Sequence, residues 1–269
     1  MNRLAALLGV AALFFVSVDM RLRRATQTPR WDAADGTGYY RAESAFQFRY
    51  ARLATQGSLP AVDKDAQWPE GVDTRREVTT LMERATGAAW RAWPGTKPDL
   101  RWFVVCWVAI VSSLSLLAFF FAALRLSDDP PLALAGTAAY GLSWAAQANV
   151  AGTYGFEGFA LPLMHLGLAA ALTALDRATK DPVPWAFASG AALGLSMSSW
   201  HFARLYLISF LAALAWVVIR NGRDADAAKR ARLTAIAGIG GALAAMLAVP
   251  AARPAGGSSL AHAWAMLGE

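Results

Sequence analysis

Long apolar stretches alternate with short polar stretches along most of the chain. A helix that crosses a membrane needs about twenty predominantly apolar residues, and short charged connections between such helices are typical of multi-spanning proteins. The pattern therefore predicts an all-α integral membrane protein with about seven membrane-spanning helices. The predicted spans are Leu4–Val18, Trp102–Leu124, Pro131–Ala148, Gly158–Leu175, Pro184–Ser199, Leu205–Ile219 and Leu233–Val249.

The first apolar stretch has the length of a signal-peptide core. The tract that follows it, Asp19–Arg24, lacks the small residues of a cleavage site. We interpret the first stretch as an uncleaved anchor helix.

A long polar segment, residues 20–101, separates the first two predicted spans. Connections this long are usually functional or disordered, and the many aromatic residues in this one argue against disorder. Within it, Glu43–Arg52 has apolar residues at steps of three and four, which predicts a helix. We expect a single membrane domain over residues 1–269, with residues 20–101 as a large helical loop on one side of the membrane.

Composition supports a membrane protein, because 56% of the residues are hydrophobic and 16% are charged, against about 45–50% apolar residues in soluble domains. The net charge of +6 comes from Lys and Arg in short runs between apolar stretches. Such runs orient membrane helices and do not indicate a nucleic-acid partner. The single cysteine, Cys106, excludes an intrachain disulfide.

The short basic loops predict the orientation of the helices. Arg125, Arg177 and Lys180 fall on the cytoplasmic side if the amino terminus is cytoplasmic. This orientation places residues 20–101 outside, although it also places the basic tract Arg21–Arg24 outside, where basic residues are disfavoured.

Two acidic residues stand next to predicted spans on the same predicted side. Glu43 opens the helix in the long loop, and Glu157 opens the fourth span. Glu157 has a simple explanation as a first-turn charge favoured by the helix dipole. Glu43 has one as part of a solvated helix face, paired with Gln47 or Arg41. The alternative is that both point into one site and hold Mg²⁺ or Mn²⁺ through oxygen ligands. Periodicity does not choose between these interpretations.

Three stretches of the chain resemble the catalytic subunit of oligosaccharyltransferase, a C-type multi-spanning membrane glycosyltransferase. The first pairs an acid with arginines six and nine residues later, as in Glu43, Arg49 and Arg52. The second is an acidic stretch that leads into an aromatic-Pro-x-Gly turn, as in Asp63–Gly71. The third is Ala151–Glu157, which matches the family's Ala-Gly-Ser-Tyr followed by acid-x-acid, with Gly155 in place of the first acid.

The resemblance implies transfer of a glycan from a polyprenyl diphosphate carrier to the asparagine of an acceptor polypeptide. It implies that Glu43 and Glu157 bind the metal and that Glu43 also activates the acceptor amide, with Asp35 as the second candidate for this catalytic acid. Candidates for binding the donor diphosphate are Arg49, Arg52, Arg204 and His201, since arginine forms paired bonds to such oxygens. The alternative role for these basic residues is anchoring at the headgroup layer.

Family members carry further spans, a late external glutamate and a Trp-Trp-Asp motif, so we expect this chain to be the amino-terminal part of such a protein. Two other functions remain open. One is a C-type glycosyltransferase that uses a sugar linked to a polyprenyl monophosphate. The other is a non-catalytic relative that binds a lipid-linked glycan. In each case we expect a multi-pass protein of a bacterial or archaeal cell membrane, in contact with lipid, with its active face outside.

Overall fold

The computed structural model describes residues 3–28, 31, 39–40, 43–57, 59–66, 70–74, 79–143, 153–200, 202–220 and 224–248. These residues form nine α-helices and one short antiparallel strand pair. The helices are α1 (Arg3–Thr26), α2 (Glu43–Thr55), α3 (Leu81–Ala92), α4 (Leu100–Ser127), α5 (Pro130–Leu142), α6 (Glu157–Leu175), α7 (Val183–Ser199), α8 (Ala203–Arg220) and α9 (Ala225–Ala248). The strands are β1 (Val62–Asp63) and β2 (Val72–Asp73).

Five of the described helices are long and apolar enough to cross a membrane, namely α1, α4, α6, α8 and α9. Helix α7 has 17 residues and α5 has 13 residues. Both coincide with predicted spans, but they are shorter than the about twenty residues of a typical crossing. The structure is thus that of an all-α membrane protein, and the number of seven spans stays a prediction.

The first helix is longer than predicted. We expected the external loop to begin at residue 20, but α1 continues through the charged tract to Thr26. Two local interactions stabilise this extension. Arg23 forms an ion pair with Asp19 at 2.8 Å, and the buried Arg21 donates to Ser17 Oγ at 3.3 Å. Pairs four residues apart lie on the same helix face, so a charged tract can continue a helix that an apolar tract begins.

One end of the bundle, which we call the basic end, collects the residues predicted to be cytoplasmic. Arg125 at the end of α4 forms an ion pair with Asp176 at 3.1 Å. Arg230 of α9 donates to the backbone oxygens of Asp176 and Thr179, both at 3.1 Å. These bonds join the ends of α4, α6 and α9, which agrees with the grouping of basic loops in the sequence.

Helices α7 and α9 approach each other closely through glycines. A Cβ atom on Gly190 of α7 would collide with the carbonyl oxygen of Gly238, and one on Gly241 of α9 would collide with that of Phe187. Small residues permit this approach, and helix association in membranes depends on such packing. The contact fixes α9, whose other faces are largely exposed.

Replacing Gly241 by alanine is expected to destabilise the fold by about 1–3 kcal/mol, the usual cost of overpacking. The neighbouring Gly240 provides a matched control, because a Cβ there meets no atom within 4 Å. Gly240→Ala should be neutral or stabilising, since alanine favours the helix. Thermal unfolding in detergent, followed by tryptophan fluorescence, measures both variants. Equal midpoints for Gly240→Ala and Gly241→Ala would contradict the packing described.

At the opposite end, which we call the loop end, α2, α3 and the strand pair cover the bundle. The Tyr39 hydroxyl donates to the backbone oxygen of Ala25, in the last turn of α1, at 3.2 Å. The Thr79 hydroxyl donates to the backbone oxygen of Ser199, at the end of α7, at 3.0 Å. The long loop therefore packs on the bundle, and its helical character is confirmed by α2 and α3.

Candidate functional site

A cluster of aromatic rings joins the long loop to the segment before α6. The Tyr40 ring stacks on Phe48 of α2, with ring centroids 4.6 Å apart. The Tyr40 ring also approaches that of Tyr154, with centroids 6.4 Å apart. Tyr40 and Tyr154 are both buried. Aromatic pairs at these separations add to the free energy of burial, so the cluster holds residues 39–40, α2 and residues 153–156 at one place.

Tyr154 anchors the segment before α6 on α3. Its side chain is fully buried, and its hydroxyl donates to Thr86 Oγ1 at 2.7 Å. Thr86 in turn donates to the backbone oxygen of Met82 at 2.8 Å. Burial raises the pKa of the Tyr154 hydroxyl well above its ordinary value, so this group stays a neutral donor. The anchor fixes the start of α6 relative to the long loop.

Glu157 is the first residue of α6 and is half-buried. Its carboxylate lies beside Gly155, because a Cβ atom placed on that glycine would be 2.7 Å from Glu157 Oε2. An acid at position 155, as in the acid-x-acid pattern, would therefore place a second carboxyl group next to that of Glu157. In this chain the glycine leaves that space to the Glu157 carboxylate.

Glu43 is the first residue of α2, and its side chain is exposed. The predicted helix over Glu43–Arg52 is confirmed, and it extends to Thr55. Its buried face consists of Ser44, Gln47, Tyr50, Ala51 and Ala54, so Glu43 projects away from the contact with α3.

The two acids share one relation to the aromatic cluster. Glu43 follows Tyr40 by three residues, and Glu157 follows Tyr154 by three residues. Since the two tyrosine rings approach each other, both acid-bearing helix starts belong to the loop end. The third candidate acid, Asp35, lies outside the described residues.

The Arg49 guanidinium is engaged with a carboxylate of its own loop. It donates to both oxygens of Asp63, at distances from 2.9 to 3.1 Å. These bonds hold the pKa of the Asp63 carboxyl below its ordinary value and raise that of Arg49. The pair attaches β1 to α2, so a diphosphate that binds Arg49 would have to compete with Asp63.

The turn next to this ion pair requires a glycine. Gly71 has a φ of +79°, and a Cβ atom there would lie 3.0 Å from the backbone oxygen of Asp63. The predicted Asp63–Gly71 turn is thus closed by the pairing of β1 with β2, although residues 67–69 lie outside the described residues.

The other basic candidates occupy different positions. Arg52 is exposed on α2, and Arg204 is exposed in the first turn of α8. His201, the fourth candidate for diphosphate binding, lies outside the described residues. The roles of these residues stay predictions.

Glu83 is a further candidate residue, which the sequence did not predict. This residue of α3 is fully buried, and neither carboxyl oxygen has a hydrogen-bond partner among the described residues. Burial raises the pKa of the Glu83 carboxyl to about 8. The sequence contains a signal for this burial, because Glu83 lies next to Met82 and three residues before Thr86. All three residues are on the buried face of α3. Buried acids with raised pKa values are concentrated at functional sites.

The two predicted metal ligands fit a hard cation by their chemistry. In the part of the chain that the structure describes, neither Glu43 nor Glu157 takes part in an ion pair. Both carboxylates therefore have oxygens to offer to Mg²⁺ or Mn²⁺. Across the same residues, His, Cys, Asp and Glu side chains form no group of three that could hold a metal.

Comparison of the chain with protein-family models and with curated proteins finds no match.

Proposed function

We propose that this chain is an oligosaccharyltransferase-like glycosyltransferase, or its amino-terminal part, which transfers a glycan from a polyprenyl diphosphate carrier to an asparagine of an acceptor polypeptide. One observation carries the proposal. The contact between Tyr40 and Tyr154, with ring centroids 6.4 Å apart, brings together the first and the third of the three stretches that carry the resemblance. Each segment leads into an acidic residue, Glu43 or Glu157, at the start of a helix.

Glu43 and Glu157 are the proposed ligands of Mg²⁺ or Mn²⁺ in this function. A bound divalent cation supplies positive charge beside the leaving diphosphate, which is typically worth several kcal/mol. Carboxylate oxygens are the ligands that hard divalent cations prefer. Glu43, or Asp35 in its place, is the proposed hydrogen-bond partner of the acceptor amide.

The basic residues that are exposed at the loop end are the proposed contacts of the donor diphosphate. Arg52 and Arg204 present guanidinium groups there, and guanidinium groups form paired charge-assisted bonds to phosphate oxygens. His201 is the third proposed contact. We assign Arg49 a smaller part, because its guanidinium already binds Asp63. The lipid tail of the donor would remain in the bilayer beside the helices.

A second function is favoured by Gly155. The acid-x-acid pattern lacks its first carboxylate here, because the residue beside Glu157 Oε2 is the glycine Gly155. Loss of one carboxylate weakens a cation site, because affinity depends on the number of charged ligands. The chain would then bind a lipid-linked glycan without transferring it.

A transfer assay separates the two functions. The full chain in detergent is mixed with a short-chain polyprenyl diphosphate-linked glycan and a fluorescent peptide that contains Asn-x-Thr, the glycosylation acceptor. We expect a glycopeptide in the presence of Mn²⁺, none after chelation, and recovery when Mn²⁺ is restored. Saturable binding of the donor without any glycopeptide would contradict catalysis and support the non-catalytic relative.

A further inference from the structure

Glu83 lies next to the residues that seat the segment before α6. On α3 it is the neighbour of Met82, whose backbone oxygen accepts a bond from Thr86, and Thr86 accepts the bond from Tyr154. The Tyr154 hydroxyl also lies 3.5 Å from the backbone oxygen of Met82, the residue before Glu83. The contacts of this hydroxyl with α3 are therefore on the helical turn that carries Glu83.

The surroundings of Glu83 suit only its neutral form. Its side chain is 0% exposed, and neither carboxyl oxygen forms a hydrogen bond with another described residue. A carboxylate buried in this way is strongly disfavoured, so the group holds its proton as long as it stays buried. Once water reaches the group, it ionises with an ordinary pKa. Undocking therefore releases a proton.

Burial raises the pKa of Glu83 by more than the nearby charge of Arg84 lowers it. Among the described titratable groups, Arg84 and Tyr154 interact electrostatically with Glu83. Arg84 donates to Thr80 Oγ1 at 3.3 Å. The elements packed against α3 are α2, α4 and α7, and α7 has no titratable residue. The titratable residues of α2 and α4 are Glu43, Arg49, Tyr50, Arg52, Arg101, Cys106 and Arg125.

We propose that Glu83 is a positioning residue whose protonation controls the docking of residues 153–157 on α3, and thereby the position of the Glu157 carboxylate. The consequence for transfer rests on the proposed function. The consequence for docking does not, because it concerns the fold alone.

Cysteine labelling measures the docking directly. Thr153 is suited to this test because its hydroxyl is buried and has no partner among the described residues, and a cysteine there is smaller than threonine and can place its sulfur where the hydroxyl lies. The chain carries Thr153→Cys together with Cys106→Ala, which removes the native thiol. Maleimide labelling rates are measured from pH 6 to pH 9. Rates for Ala88→Cys, at an exposed position on α3, are used at each pH to correct for ionisation of the thiol.

We expect the corrected rate at position 153 to rise by up to about tenfold per pH unit between pH 6 and pH 8, the limit for release of one proton. Glu83→Gln, which cannot ionise, should keep the rate low and independent of pH. Glu83→Met provides the same comparison if the glutamine variant does not fold, as judged by size-exclusion chromatography. A flat profile in the parent chain, or an equal rise in both Glu83 variants, would overturn the proposal. Neither result depends on whether the chain transfers a glycan.

Discussion

Glu83→Gln is expected to stabilise the folded chain by about 3 kcal/mol at pH 7, by the relation between pKa shift and stability. The carboxyl has a pKa of about 8 in the fold, compared with an ordinary value of 4.5. At pH 7 it is therefore neutral in the folded chain and ionised in the unfolded chain. Glutamine keeps the shape of the neutral carboxyl and removes this penalty.

The sign of the pH dependence follows from the raised pKa. Below pH 4.5 both states hold the proton, so Glu83 contributes no pH-dependent difference in stability. As the pH rises towards 8, the unfolded state alone loses its proton, and stability falls. Above pH 8 the penalty is complete.

Thermal unfolding in detergent between pH 5 and pH 9 measures this effect. The midpoint of the parent chain should fall relative to that of Glu83→Gln as the pH rises from 5 to 8. Glu70→Gln is the control, because Glu70 is an exposed carboxylate of the same loop, and it should follow the parent chain. Parallel midpoints for the parent chain and Glu83→Gln across this range would show that Glu83 is not buried as described.

Glu43→Gln and Glu157→Gln are each expected to lower the rate of glycan transfer by roughly 10²–10³-fold, the typical cost of losing one electrostatic contact to a transition state. Each glutamine keeps the side-chain length and removes the negative charge that binds the cation. Neither residue has an ion-pair partner among the described residues that its loss would leave unpaired. The fold should therefore be unaffected.

Initial rates of glycopeptide formation at saturating donor test this prediction. Asp181→Asn serves as the control, since Asp181 is an exposed carboxylate just before α7, away from the loop end. This variant should retain the parent rate. Parent-like transfer by either Glu43→Gln or Glu157→Gln would remove that residue from the proposed site.

The helices could be predicted from the sequence because apolar length is a strong signal. Trp102–Leu124 and Gly158–Leu175 lie within three residues of the observed bounds of α4 and α6. The end of α1 could not be predicted, because Asp19, Arg21 and Arg23 resemble a loop by composition. Their side chains are accommodated by an ion pair and by burial against the bundle, which are contacts that hydropathy does not register.

The site was predicted only in part, because the sequence reveals acids next to helices but not what holds them together. The positions of Glu43 and Glu157 at helix starts are confirmed. The contacts around these residues join segments that are distant in sequence. Tyr40 approaches Tyr154, more than a hundred residues later, and Arg49 forms an ion pair with Asp63. The acid inside α3 was missed because an exposed first-turn charge is far more common than a buried one.

Calorimetric titration with Mn²⁺ shows whether Glu43 and Glu157 bind the same cation. The parent chain, Glu43→Gln, Glu157→Gln and the double variant are compared in the same detergent. If the two carboxylates share one ion, each single variant should bind Mn²⁺ at least about tenfold more weakly, or about 1.4 kcal/mol. The double variant should lose less than the sum of the two, because the ligands act together. Unchanged Mn²⁺ affinity in either single variant, or fully additive losses in the double variant, would contradict a shared site.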